Sequence, residues 1–303
     1  MKGFKCLFAA IILLASTTIP AMAGEVKTSA EPSGAPVTVQ AAEDRPTFDF
    51  TACALSKYVW RGYENTRNSI VIQPSMTAGY KGFGVNLWGN LDTKPYSTSN
   101  INYSTTWTET DLTLSYTKTF GLLNAGMGYI YYGLGAVNPG GTKPPDAQEI
   151  FVTVSLNTLL NPTLTVYDEI DHYHYYYALL GISHVFELSK AVSLKLGAYA
   201  GYLKSNYADA ALFNAGGGYG GYPKFNDSGQ ATNDKFDGLH DGLITVSLPI
   251  AAAKHMTVTP MIACSFPLTS DAGNEIKGRG KKADPADNGS SFLYGGVGFT
   301  FAF

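Results

Sequence analysis

From Phe48 onward the chain alternates apolar and polar residues with a period of two, and clusters of Gly, Pro, Asn, Asp and Ser interrupt the alternation repeatedly. The pattern predicts twelve strands, over about 48–61, 69–81, 82–92, 107–120, 121–134, 147–157, 162–171, 174–186, 191–205, 236–249, 255–266 and 290–303. In the fourth, Leu112, Leu114 and Tyr116 share one face while Asp111, Thr113, Ser115 and Thr117 share the other. The sixth sets Ile150, Val152, Val154 and Leu156 against Glu149, Thr153, Ser155 and Asn157. The ninth sets Val192, Leu194, Leu196 and Ala198 against Ser193, Lys195, Gly197 and Tyr199. No segment carries a helical period.

Connection lengths sort by parity. Those after even-numbered strands are short: Lys81-Gly82, Phe120-Gly121, 157–162, 187–190 and 250–254. Those after odd-numbered strands are mostly long: 62–68, 93–106, 135–146, 206–235 and 267–289, with the tight connection around His172 as the exception. A half-buried soluble sheet produces the same alternation, but it has no reason to sort its loops. A barrel crossing an outer membrane does, having short turns on one side and long loops on the other. Each segment also reaches the roughly 9–11 residues that a tilted strand needs to span a bilayer. An acidic residue such as Asp111 is costly against lipid, so the polar face must look inward. The expected fold is all-β, a transmembrane antiparallel up-and-down β-barrel of about twelve strands over 48–303. An even strand number puts both ends on one side, expected to be periplasmic.

Composition fits that expectation. Mean hydropathy is −0.02, as it should be where lipid-facing and lumen-facing residues cancel. Tyr is the most frequent aromatic, with 20 residues against 16 Phe and 3 Trp, and amphipathic rings suit membrane interfaces. Lys2 and Lys5, the apolar stretch 6–15 and the small-residue site Ala21-Met22-Ala23 have the layout of a cleavable secretory signal over 1–23. Residues 24–47 read as a flexible periplasmic leader. Removing Lys2 and Lys5 leaves 19 basic against 24 acidic residues, a net charge of 19 − 24 = −5, with no basic run suited to nucleic acid. Cys53 and Cys264, on widely separated strands, give no disulfide framework. The last strand ends on the aromatic Phe303, which looks like the signal read by the outer-membrane barrel assembly machinery.

The segment Ser56-Lys57-Tyr58-Val59-Trp60-Arg61-Gly62 resembles the opening S-x-Y-x-(aromatic)-R-G of a Gcw_chp-type family of conserved hypothetical proteobacterial exported proteins. Gly84-Val85-Asn86-Leu87-Trp88-Gly89-Asn90 is similar to that family's G-x-W-(G/S)-N strand, and Leu180-Gly181-Ile182-Ser183-His184 to its L-G-x-S-H strand. The resemblance would cover about 48–303, except for the Gly-rich stretch 213–236. It implies an outer-membrane barrel and adds little on activity.

Candidate chemistry lies on the inward face. Lys57, Arg61, Asp111, Glu149, Lys195 and Tyr199 are the candidate pore-lining residues, Lys57 and Arg61 by sharing the polar parity of the first strand with Asp49 and Thr51. Opposed acids and bases at a constriction would orient polar solutes in a transverse field, or would form ion pairs that plug a narrow lumen. His172 and His174 would fall on one face of a strand and could share a metal with Asp168 or Asp171, although a polar hairpin tip is the plainer reading. Ser183 and His184 point to opposite faces and no Gly-x-Ser-x-Gly elbow occurs, so no enzyme is expected. No cofactor is expected either. The expectation is a bacterial outer-membrane channel whose partners are membrane lipids, the assembly machinery and small polar solutes. The alternative is a non-conducting barrel acting as scaffold or adhesion protein through the loops 206–235 and 267–289.

Overall fold

The computed structural model describes residues 45–66, 69–95, 105–135, 143–215, 220–283 and 289–303. The expected signal segment 1–23, the expected leader up to residue 44 and part of the Gly-rich stretch lie outside the described residues. The two-residue period resolves into twelve barrel strands: β1 (Thr47–Leu55), β2 (Val71–Tyr80), β3 (Phe83–Asp92), β4 (Thr106–Phe120), β5 (Leu123–Leu134), β6 (Ala147–Leu156), β7 (Thr163–Glu169), β8 (Tyr175–Glu187), β9 (Ser193–Ser205), β10 (Asp237–Ser247), β11 (Met256–Pro267) and β12 (Phe292–Ala302). A short strand, Ile250–Ala253, leads into β11. Each strand pairs antiparallel with the next, and β1 pairs with β12 from Asp49↔Ala302 to Leu55↔Gly296, which closes the sheet on itself. Closure leaves no unpaired sheet edge in the barrel wall. The Thr51 and Thr300 hydroxyls meet 3.0 Å apart across that seam.

Short turns gather at one rim, called here the turn end, and the long connections at the other, the loop end. The β2–β3 turn places Lys81 at φ 49° and Gly82 at φ 87°, the positive pair that a two-residue hairpin turn needs to match strand twist. A Cβ on Gly82 would also meet the Thr117 carbonyl.

The outward face is apolar. On β6 Ile150, Val152, Val154 and Leu156 are 42–54 % exposed while the residues between them are buried. Exposed aromatics ring the barrel twice: Tyr80, Phe83, Tyr116, Phe120 and Phe186 near the turn end, and Trp107, Tyr131, Tyr176 and Tyr202 near the loop end. Inside, the hydroxyls of Thr51, Thr153, Thr165, Thr259 and Thr300 are buried, Thr51 against Thr300 and Thr153 against Thr165. Toward the turn end Ser75, Thr77, Asn86, Thr113 and Ser115 stay partly exposed, so water reaches the inner face there. Cys53 and Cys264 are buried and not joined in a disulfide, with β12 between their strands.

Three expectations need correction. The first strand stops at Leu55, not near Arg61, because Val59–Trp60 and Tyr63–Glu64 form a separate hairpin turned at Arg61-Gly62. Two helices occur where none was expected, α1 (Ala210–Ala215) and α2 (Ser270–Ala283), both in loop-end connections. The seventh strand stops at Glu169 rather than Asp171 and the eighth begins at Tyr175 rather than His174, because the Glu169 carboxylate accepts the backbone N–H groups of Asp171, His172, Tyr173 and His174 at 2.7–3.2 Å and bends the chain there.

Candidate functional site at the loop-end mouth

The hairpin after β1 folds inward. Its turn holds Arg61 at φ 45° and Gly62 at φ 85°, a left-handed pair that is unfavourable for a side chain at the first position and directs Arg61 into the lumen. Gly62 is required twice over, since a Cβ there would lie 2.9 Å from Asp241 Cβ and 3.2 Å from Ile276 Cδ1.

Arg61 meets Glu149 of β6 in a two-pronged ion pair, Nη1 to Oε1 at 2.6 Å and Nη2 to Oε2 at 2.8 Å. Tyr132 donates to Glu149 Oε2 and Tyr175 to Oε1, each at 2.7 Å. The guanidinium also lies 4.4 Å from the ring centres of Tyr167 and Tyr177 and 4.5 Å from that of Trp60. Arg61 is 6 % exposed and Glu149 fully buried, so this collar surrounds one desolvated charge pair in the barrel interior. Burial works against the guanidinium, but the adjacent Glu149 outweighs it and holds the Arg61 pKa well above its ordinary value.

A second node ties the loops together. The β9–β10 register slips by one residue between Ala200 and Tyr202, so the consecutive residues His240 and Asp241 both turn inward. His240 Nδ1 lies 2.9 Å from Asp241 Oδ1, and its Nε2 lies 3.2 Å from Glu275 Oε2 of α2 and 3.1 Å from the Tyr63 hydroxyl. Tyr63 donates to Glu275 Oε2 at 2.8 Å, and Tyr177 donates to Asp241. Arg279 donates from Nε to Glu275 Oε1 and from Nη2 to the Gly221 carbonyl at 2.8 Å, with its face 3.9 Å from the centre of the Tyr222 ring. Burial alone would raise the Glu275 pKa; Arg279 and His240 outweigh it and hold the carboxyl below its ordinary range. Burial likewise pushes the Tyr222 phenol up to about 12 despite Arg279.

Helix α2 exists because its inner face is well supplied. Thr269 caps it by accepting the Ala272 N–H at 3.1 Å. Ala272, Glu275 and Ile276 are buried at the i, i+3, i+4 spacing of one helix face. Gly278 packs directly against Phe225, where a Cβ would collide with the ring.

Between these nodes lies a cavity of about 390 Å³, walled by Trp60, Tyr63, Tyr132, Tyr173 and Tyr222, with Glu64, Glu109 and Arg279 among its polar groups.

The structure brings Arg61 and Glu149 into contact, with Asp111 nearby on the inward face of β4. Lys57 is in the mouth rather than on β1, paired with Glu64. Lys195 and Tyr199 face inward on β9, away from the collar. His172 Nδ1 lies 3.0 Å from Asp171 Oδ1 and from the Asp146 carbonyl. The same-face argument for His172 and His174 fails because they sit on the bend, and among the described residues no three His, Cys, Asp or Glu side chains are grouped to hold a metal. Sequence reasoning missed His240, Asp241, Glu275 and Arg279.

No family model and no curated protein matches the chain, so the resemblance to the Gcw_chp-type family gains no support. Solved structures do match in overall fold at low identity. The KdgM porin is 11 % identical, covering 85 % of this chain and 99 % of its own, with a TM-score of 0.45. The NanC porin is 9 % identical over 84 % and 98 %, TM-score 0.46. An outer-membrane channel from Pseudomonas putida F1 is 9 % identical over 92 % and 100 %, TM-score 0.47.

Proposed function

We propose that the chain is a bacterial outer-membrane channel for small polar solutes, closed in this conformation at its loop-end mouth by the Arg61–Glu149 collar. The observation that carries this reading is the contrast between an apolar outer wall and an interior that holds buried charged and hydroxyl groups among its aromatic and aliphatic ones, with a partly exposed polar face on β2–β4 toward the turn end. A wall with two aromatic rings and an exposed apolar band between them is unstable in water and suited to a bilayer. The loop end then faces outward and the turn end faces the periplasm, with the barrel assembly machinery inserting the chain and membrane lipids surrounding it. Lys57, Arg61, Asp111, Glu149, Lys195 and Tyr199 act as pore-lining groups. Solute passage requires the first hairpin to withdraw from Glu149.

A second reading, a permanently closed barrel serving as scaffold or adhesion protein, draws support from the packed interior, where Tyr177, Leu179, Leu203 and Phe292 join the buried cluster and Thr51, Thr153, Thr165, Thr259 and Thr300 do not exceed 3 % exposure. Single-channel recording of the folded protein in a planar bilayer separates the two. Stepwise conductance upholds the channel, and silence from inserted, heat-modifiable protein overturns it in favour of the scaffold.

A further inference from the structure

The cavity in the mouth carries an unbalanced charge. Among the described residues around it, Glu64 is met by Lys57, Glu149 by Arg61, Glu275 by Arg279, and Asp241 by His240. Glu109 is left over. It lines the cavity, is 8 % exposed, and accepts a hydrogen bond from Tyr58, but no described cation reaches it. Two residues further along β4, on the same inward face, Asp111 has a buried Oδ1 with no hydrogen-bond partner. A carboxylate taken out of water without a counter-charge is expensive.

The rest of the wall suits a cation of a particular kind. The rings of Trp60, Tyr63, Tyr132 and Tyr173 line the space; Trp60 and Tyr63 already hold Arg61 and Arg279 over one face, and aromatic walls of this kind attract a cation whose own hydration is weak. Arg279 on the rim does not reverse the sign, because Glu275 neutralises it. A metal ion would need several converging oxygen ligands, and among the described residues no such group occurs here. An alkylated or primary ammonium group needs only ring faces and one carboxylate.

We propose that the mouth cavity is a binding site for a small organic ammonium ion, with Glu109 as its counter-charge and the aromatic wall holding the alkyl surface. This names a solute class for the channel and rests on that reading only for passage through the barrel once the ion is bound; the site itself does not require conduction.

The test is isothermal titration calorimetry on the full folded barrel in detergent micelles with tetramethylammonium, alongside acetate and glucose as anionic and neutral probes. Fluorescence of a Trp88→Phe, Trp107→Phe protein, which keeps Trp60, provides a second readout. Tetramethylammonium is expected to bind saturably, and acetate and glucose are not. Glu109→Gln should weaken it about tenfold, and Tyr173→Leu, which keeps every carboxylate, several-fold. Absence of tetramethylammonium binding, equal binding of glucose, or unchanged affinity in a folded Glu109→Gln protein overturns the proposal. If Glu109→Gln does not fold, Tyr173→Leu decides on the same terms. Conductance without ammonium binding overturns this inference and leaves the channel standing, whereas binding without conductance does the reverse.

Discussion

The Arg61→Gln substitution tests the mouth most directly. Arg61 gives Glu149 two charge-assisted hydrogen bonds at 2.6 and 2.8 Å in a site where Glu149 has no exposure. Removing one member of such a pair strands the other, at a cost of about 3–5 kcal/mol. Arg61 lies on the hairpin between β1 and β2 and takes no part in the barrel ladders. The loss therefore falls on docking of the hairpin and not on the barrel. A penalty of about 3–5 kcal/mol shifts the closed-to-open ratio by roughly two to four powers of ten. In planar bilayers the variant should dwell in open states far longer than the parent, and Glu149→Gln should do the same because it cuts the same bonds. The exchange Arg61→Glu with Glu149→Arg should recover part of the closure. If Arg61→Gln inserts and shows the parent's open dwell times and conductance, the collar is not the gate.

Other outcomes rest on the same geometry. Gly62→Ala forces a side chain into a φ of 85° and against Asp241, so the first hairpin should become sensitive to protease while the barrel keeps its heat-modifiable shift on a gel. Glu275 has its pKa held below the ordinary carboxylate range, so its contribution to docking is complete above that range and is lost as pH falls through the depressed value. Open dwell time should accordingly rise only in acid, and Glu275→Gln should flatten that rise. Val152→Arg on the outer wall should cost about 2–4 kcal/mol of folding free energy in lipid vesicles if it meets mid-bilayer hydrocarbon, measured by denaturant titration; a negligible change would contradict a membrane-facing wall.

The strand count, the sorted loops and the in–out faces of β4, β6 and β9 were legible because a two-residue period with one buried face specifies register strongly. The end of β1 was not, since Lys57, Val59 and Arg61 continue the alternation past Leu55. The chain leaves the β1 ladder after Leu55 and turns back at the positive φ of Arg61-Gly62, a turn that Arg seldom marks. Helix α2 was hidden by Gly273, Gly278 and Gly280, which suppress helical propensity although Gly278 is present to admit Phe225. The Thr269 cap and the spacing of Ala272, Glu275 and Ile276 were the signals available. His240 and Asp241 could not be read as joint inward residues, because adjacent positions on a regular strand face opposite ways and only the register slip turns both inward.

The seam between β1 and β12 also bears on how the chain reaches this state. Thr51 and Thr300 are 249 residues apart in sequence yet share a hydrogen bond, so the last ladder to form joins the two most distant strands. Closure of so long a loop comes late and slowly. Until then the open sheet presents two free edges, along β1 and along β12, each able to recruit a foreign strand. Folding of this barrel is thus a race between self-closure and edge-to-edge aggregation, and it favours a pathway in which the edges are shielded until they meet.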